Sequence, residues 1–180
     1  MTTDIASKIE IVRKHLKSYP DFPKPGIVFR DIFGVMSNRE ANAALQDILL
    51  THATEHKSRI EAVCALESRG FLFGPLIALH LGVPFVPIRK KGKLPGEVVS
   101  HSYNLEYGSD TLEIQKDALK PNTSVLLVDD LLATGSTLDA GCRLITQIGS
   151  KVDHSLVIIE LEALNGRSKV PSPVYSFIKL

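Results

Sequence analysis

Between Val125 and Thr137 the sequence reads VLLVDDLLATGST. A run of aliphatic residues ends in two adjacent carboxylates, Asp129 and Asp130, and passes into small, hydroxyl-bearing residues. A buried parallel strand ends at the carboxyl edge of its sheet, where open α/β sheets bind ligands, so both acids are expected at that edge. Two adjacent carboxylates repel each other by roughly 1 kcal/mol or more at partly screened distances, and a cation or sugar hydroxyls sharing the charge relieve this. The loop Ala133-Thr134-Gly135-Ser136-Thr137 opens a helix. Small residues let backbone N–H groups converge on a phosphate, Thr134, Ser136 and Thr137 add hydroxyl donors, and the helix dipole favours negative charge. Strand, acid pair and anion cradle together fit a phosphorylated sugar. The same letters also fit a core strand and a capped helix, with Asp130 or Thr134 as the cap.

Two other functional patterns share pieces of this one. P-loop enzymes carry a metal-binding strand that ends in Asp, but no G-x-x-x-x-G-K-[ST] occurs in the chain. Phosphoacceptor signalling domains carry an acidic pair near their first strand, not at residue 129.

Two further stretches offer positive charge. Glu67-Ser68-Arg69-Gly70 follows an aliphatic run and opens a helix, which makes it a second backbone anion site with a guanidinium attached; an N-cap by Ser68 with a solvated Arg69 is the simpler alternative. Arg89-Lys90-Lys91-Gly92-Lys93 places four cations in five residues beside Pro95-Gly96. Alone, such a run is a solvated surface or a targeting patch. In a chain of net charge +1, with 21 basic and 20 acidic residues, no global field recruits nucleic acid or a membrane surface, so anion affinity has to come from local sites like these.

The elements that must carry these residues follow from periodicity. Helical stretches alternate with short aliphatic runs in the second half, the pattern of βα units around a mainly parallel central sheet. Ile5, Ile9, Val12 and Leu16 predict an amphipathic helix from Asp4 to about Tyr19, stopped by Pro20, Pro23 and Pro25. Ser37 and Glu40 have capping-box spacing ahead of a helix running to about Glu55. Strands are expected at Ile60–Leu66, Pro84–Arg89, Ser124–Asp129 and Asp153–Leu161, and helices at Gly70–Leu81 and Gly135–Ile148, ended by Gly82 and Gly149. VVSHSYNLEY and TLEIQK, separated by Gly108-Ser109-Asp110, predict a projecting hairpin with its turn at those three residues. The tail beyond Arg167 is expected to be an edge strand or irregular.

Length and composition bound the class. With 180 residues, 44% hydrophobic and 23% charged, the chain fits one globular domain with an ordinary core. No run of about 18 apolar residues could span a bilayer, and the alternating charge of MTTDIASKIEIVRK lacks the apolar centre of a secretory signal; a cytoplasmic location is expected. Cys64 and Cys142 lie in apolar stretches away from metal-ligand spacing and read as reduced core thiols.

The VLLVDDLLATGST stretch resembles the phosphoribosyl-pyrophosphate (PRPP) motif of the type I phosphoribosyltransferases. Four further stretches, YPDFPKPGIVFRDI, ESRGFLFGP, RKKGKLPG and SYNLEYGSDTLEIQKDAL, resemble in order the adenine phosphoribosyltransferase family over nearly the whole length. The family loop commonly reads ATGGT where this chain has Ser136, a small change unless that position needs positive φ; Glu67 is Asp in some members.

This resemblance implies a single domain over residues 1–180, with a helix and purine-binding hood at about 1–36 and a flexible lid hairpin at about 96–117. It implies transfer of 5-phosphoribose from PRPP to adenine, giving AMP and pyrophosphate. Asp129 and Asp130 would hold the ribose hydroxyls and stabilise positive charge at the anomeric carbon, and the Ala133–Thr137 loop would hold the 5-phosphate. Glu67, Ser68, Arg69 and Gly70, often with a cis peptide in that loop, would face pyrophosphate with Arg89 and Lys93. Main-chain atoms of Val28 and Arg30 would read adenine, with Leu131 as an apolar face. Glu106 would be the general acid/base near the imidazole edge, and Tyr107 would pack over the site. Mg²⁺ would bind mainly through PRPP and water, with no direct side-chain ligand, near Asp129 and Asp130. A homodimer is expected, with no nucleic-acid or membrane partner. The competing readings are transfer to another purine base and a non-catalytic PRPP or nucleotide sensor on the same fold.

Overall fold

The computed structural model describes residues 4–105 and 108–180. The chain divides into two compact units, Met1–His52 and Ala53–Leu180, with the boundary inside one helix.

In the first unit, α1 (Ile5–His15) is followed by β1 (Lys17–Pro20), β2 (Val28–Asp31), a short α2 (Phe33–Met36) and α3 (Arg39–His56). The helix expected to reach Tyr19 stops at His15. Leu16 turns extended, and Lys17–Pro20 pairs antiparallel with Val28–Asp31, so cross-strand hydrogen bonding overrides local helical periodicity. Asp21 closes the connecting loop by accepting the Gly26 N–H at 2.8 Å. The expected capping box is displaced by one residue. Asn38 accepts the Ala41 N–H at 3.0 Å through its side chain and so caps α3, whereas Ser37 donates back to the Gly34 carbonyl at 3.2 Å and closes α2.

The second unit holds β3 (Ala62–Leu66), α4 (Gly74–Leu81), β4 (Phe85–Lys90), β5 (Val98–Leu105), β6 (Gly108–Gln115), β7 (Ser124–Val128), β8 (Leu131–Leu132), α5 (Ser136–Gln147), β9 (Lys151–Glu160) and β10 (Val174–Lys179). The sheet runs β10-β9-β7-β3-β4-β6-β5, and the short β8 pairs with β9. Pairing is parallel from β10 to β4 and antiparallel from β4 to β5. Both β3 and β7 are buried along their whole length, as central parallel strands covered on both faces must be. They anchor a core with Val86, Ile88, Leu112, Ile114, Leu138 and Val157. Gly82 and Gly149 take the left-handed conformation expected after α4 and α5. The tail supplies β10 as an edge strand.

In this unit two elements depart from expectation by more than two residues. Residues Arg69–Leu72 form a 3₁₀ turn and α4 begins only at Gly74, because Pro75 suits the first turn of an α-helix and not its interior. Gly108, Ser109 and Asp110 are strand, not turn: Leu105 stands opposite Gly108 and Tyr103 opposite Asp110. The intervening Glu106 and Tyr107 lie outside the described residues. Cys64 and Cys142 are buried and unbridged; burial pushes both thiols up, away from the reactive thiolate. Among the described residues no helix is long and apolar enough to cross a membrane.

Candidate functional site

β7 delivers the acid pair to the carboxyl edge between β3 and β9. The strand is tied in to its end, with the Asp129 N–H donating to Leu156 O at 3.1 Å and the Asp130 carbonyl accepting from the N–H groups of Ile158 and Ile159. Asp129 Oδ1 accepts the Asp130 N–H at 2.9 Å. Asp130 is 2% exposed, and Arg69 Nε lies 2.8 Å from its Oδ2. That contact is charge pairing, because no aligned hydrogen bond reaches Oδ2 among the described residues. Burial, and then the Asp130 charge beside it, raises the Asp129 carboxyl well above the usual carboxylate range. Burial also raises Asp130, against the opposing pull of the Arg69 guanidinium. The pair has more negative charge than its surroundings neutralise, so a cation or a set of hydroxyl donors is the natural complement.

Gly70 sets the Glu67–Gly70 loop directly on this edge. A Cβ built there would lie 2.7 Å from the Val128 carbonyl oxygen and 3.3 Å from Asp129 Cα, so any side chain would push loop and acids apart. The Glu67–Ser68 peptide is cis. Glu67 accepts from Arg89 Nε at 3.1 Å and Nη2 at 3.3 Å, and from the Lys90 N–H at 3.0 Å. Burial raises the Glu67 carboxyl, but the Lys90 N–H and the Arg89 guanidinium outweigh it and hold it below the usual range. Arg89 Nη1 also donates to the Lys93 carbonyl at 3.2 Å. The loop at 67–70 and the basic turn at 89–93 thus form one hydrogen-bonded unit on the β3 and β4 ends.

The third part is the Ala133–Thr137 loop. Gly135, not Ser136, has the positive φ of 82°; Ser136 is the first residue of α5, so its side chain is sterically ordinary there. Thr134 Oγ1 donates to Ser136 Oγ at 3.4 Å. The β5–β6 hairpin packs against α5, and half-buried Tyr103 lies near the side chains of Thr137 and Asp110. Lys90 Nζ sits 3.0 Å from Asp110 Oδ2. Burial raises Asp110, but the Lys90 ammonium and the Thr111 N–H together outweigh it and leave the carboxyl below the usual range.

The structure therefore brings together Glu67, Ser68, Arg69, Gly70, Arg89, Lys93, Asp129, Asp130 and Ala133–Thr137, with Leu131 half-buried in β8 beside them. Val28 and Arg30 lie in β2 of the first unit, Arg30 Nη1 donating to Ser18 Oγ at 2.6 Å. Glu106 and Tyr107 fall outside the described residues. Composition does not single out Tyr103 or Asp110. Strand alternation was the available signal, since Tyr103 and Asp110 are a cross-strand pair, but a turn placed at Gly108–Asp110 hid it.

Residues 37–178 match the family described as "Phosphoribosyl transferase domain". The chain is 49% identical over 172 residues to the adenine phosphoribosyltransferase of Drosophila pseudoobscura pseudoobscura, covering 96% of this chain and 95% of that protein. It is 46% identical over 175 residues to the Homo sapiens enzyme, covering 96% and 97%. Among solved structures, the adenine phosphoribosyltransferase of Saccharomyces cerevisiae, complexed with an imino-altritol bisphosphate and adenine, superposes with a TM-score of 0.91 at 42% identity, over 96% of this chain and 99% of that one. The Trypanosoma brucei enzyme, in complex with AMP, pyrophosphate and ribose-5-phosphate, gives 0.86 at 27% identity, over 99% and 80%. An acid pair just past the end of β7, a small-residue loop opening α5 and near-full-length identity of this order place the chain in the adenine phosphoribosyltransferase family.

Proposed function

We infer that the chain transfers 5-phosphoribose from PRPP to adenine, yielding AMP and pyrophosphate. The observation that carries this reading is the buried acid pair, with Arg69 against one member, at the mouth of a helix-opening loop of small and hydroxyl residues. Asp129 and Asp130 accept from the ribose 2- and 3-hydroxyls and favour the positive charge that develops at the anomeric carbon as the bond to pyrophosphate lengthens. Backbone N–H groups and hydroxyls of Ala133–Thr137 hold the 5-phosphate at the positive end of α5. Ser68, Gly70, Arg69, Arg89 and Lys93 receive the pyrophosphate; Glu67, itself anionic, serves by orienting Arg89. Leu131 gives the base an apolar face, and the main chain of Val28 and Arg30 reads its edge. Glu106 moves the proton at the imidazole edge and Tyr107 covers the site, roles resting on the family resemblance alone. Rate enhancement is then chiefly positioning plus electrostatics.

Mg²⁺ fits this donor set. The ion would be held mainly by PRPP and water, and the adjacent carboxylates, one with a buried oxygen lacking an aligned hydrogen bond, suit the water shell of a hard cation beside them. When bound with PRPP it neutralises pyrophosphate charge. The two units are read as one phosphoribosyltransferase domain acting in the cytoplasm as a homodimer.

The test is an assay of PRPP with Mg²⁺ and adenine, run beside guanine, hypoxanthine and orotate. AMP formation with adenine alone supports the reading. Turnover with another base moves the specificity, and binding of PRPP without turnover of any base makes the chain a sensor.

A further inference from the structure

We propose that Glu113 is a positioning residue for the pyrophosphate end of PRPP, acting through the basic turn that follows β4. The proposal rests on the reading that Arg89 and Lys93 face that group.

Glu113 lies on β6, 5% exposed, and both carboxylate oxygens are engaged. Oε2 accepts the Gly92 N–H at 2.8 Å, and Oε1 accepts from Ser100 Oγ at 3.1 Å. Gly92 is the apex of a turn closed by the Lys93 N–H on the Lys90 carbonyl at 3.2 Å, and it holds a φ of +77°. A Cβ built on Gly92 would meet nothing within 4 Å. Lys91, Gly92 and Lys93 are all exposed, so polar contacts carry much of what holds this turn. Strand β6 supplies them: the Lys91 N–H donates to Thr111 O at 3.0 Å, Lys90 pairs with Asp110, and Glu113 takes the Gly92 N–H.

The charges give the second reason. Arg89, Lys90, Lys91 and Lys93 are four cations in five residues and repel one another. Glu67 engages Arg89 and Asp110 engages Lys90. Neither holds the turn at its apex, next to Lys93. The hydrogen bond from the Gly92 N–H to the buried Glu113 side-chain oxygen does so, by reaching the apex, a contact that an oxygen acceptor of the same length makes with or without charge. A turn held open at one angle presents the Lys93 ammonium and the Arg89 guanidinium together, so the entropy of ordering them is not spent when the substrate arrives.

Two variants separate reach from charge. Glu113→Gln keeps the length, its carbonyl accepting from Gly92 and its amide donating to Ser100. Glu113→Asp keeps the charge but falls one methylene short of Gly92. The expectation is near wild-type steady-state kinetics for Glu113→Gln, and for Glu113→Asp a rise of about tenfold in KM for PRPP, the scale of one such hydrogen bond, with KM for adenine unchanged. Lys93→Ala, assayed in parallel, tests the underlying reading. If it raises KM for PRPP while Glu113→Asp does not, the proposal for Glu113 is overturned alone. If neither moves that constant, the assignment of the basic turn falls with it. Equal damage in Glu113→Gln and Glu113→Asp, or equal shifts in both substrates' KM, also overturns the proposal, since either would mean general support of the fold.

Discussion

Gly135 and Gly166 meet backbone to backbone. A Cβ built on Gly135 would sit 2.2 Å from the Gly166 carbonyl oxygen, and one built on Gly166 would sit 2.0 Å from the Ala133 carbonyl oxygen. The loop that opens α5 is thus seated on the 3₁₀ turn Gly166–Lys169, far from it in sequence.

From that contact, Gly166→Ala is expected to displace the phosphate loop without touching substrate. Its added methyl meets backbone rather than a movable side chain, so the cost is that of overpacking, about 1–3 kcal/mol. KM for PRPP should rise by about tenfold or more while KM for adenine moves little, as steady-state kinetics with both substrates will show. Unchanged PRPP kinetics would mean the turn does not set the loop.

Asp129→Asn and Asp130→Asn address the acid pair. Each is expected to lower kcat by at least about a hundredfold, the scale of removing one preorganised electrostatic contact. Stability should hold or improve, because burial and mutual repulsion already favour the neutral form of these carboxyls and sites built for function are often strained in this way. Urea midpoints measured beside kcat decide it: a large fall in stability with modest loss of rate would make the pair structural.

These two cases show what was legible in the chain and what was not. Asp129 and Asp130 were readable because a buried parallel strand leaves few places for two charges except its carboxyl end. The left-handed cap residues Gly82 and Gly149 were readable because helix ends use local chemistry. Gly166 was not, since its reason is a close approach to Ala133, 33 positions earlier in sequence. The hairpin turn was misplaced for a related reason. Gly108-Ser109-Asp110 has turn composition, yet the register Tyr103 to Asp110 is fixed by pairing with β5, and sheet context overrides local propensity. The helix expected to reach Tyr19 failed likewise, to pairing with Val28–Asp31.

Removal of divalent metal gives an independent check on the acid pair. EDTA at neutral pH should abolish AMP formation, and excess Mg²⁺ should restore it. Circular dichroism and the thermal midpoint should stay as they were, because the fold around β7 is hydrogen-bonded through its own backbone. Full activity in EDTA, with trace metal excluded, would remove Mg²⁺ from the reaction.

The turn under the phosphate loop is itself held by an ion pair whose pH dependence can be worked out. Glu160, 5% exposed, accepts from Arg167 Nε at 3.0 Å, from Arg167 Nη2 and from Ser176 Oγ. The Arg167 hydrogen bond, foremost, holds the Glu160 carboxyl below the usual range against the opposing effect of burial. A carboxyl lowered on folding stabilises the folded state above its unfolded pKa, about 4.3 for glutamate. That contribution is lost as pH falls from there through the lower folded value. Glu160→Gln should therefore be less stable than the wild type by about 1–3 kcal/mol at pH 7, the scale of hydrogen bonds to a charged group. The gap should narrow only once the pH drops below about 4.3. Urea unfolding of both proteins from pH 7 down to the acid limit measures it. A gap that stays constant through that range would show that the charge on Glu160 is not what secures Arg167, leaving the shape of the turn to do so.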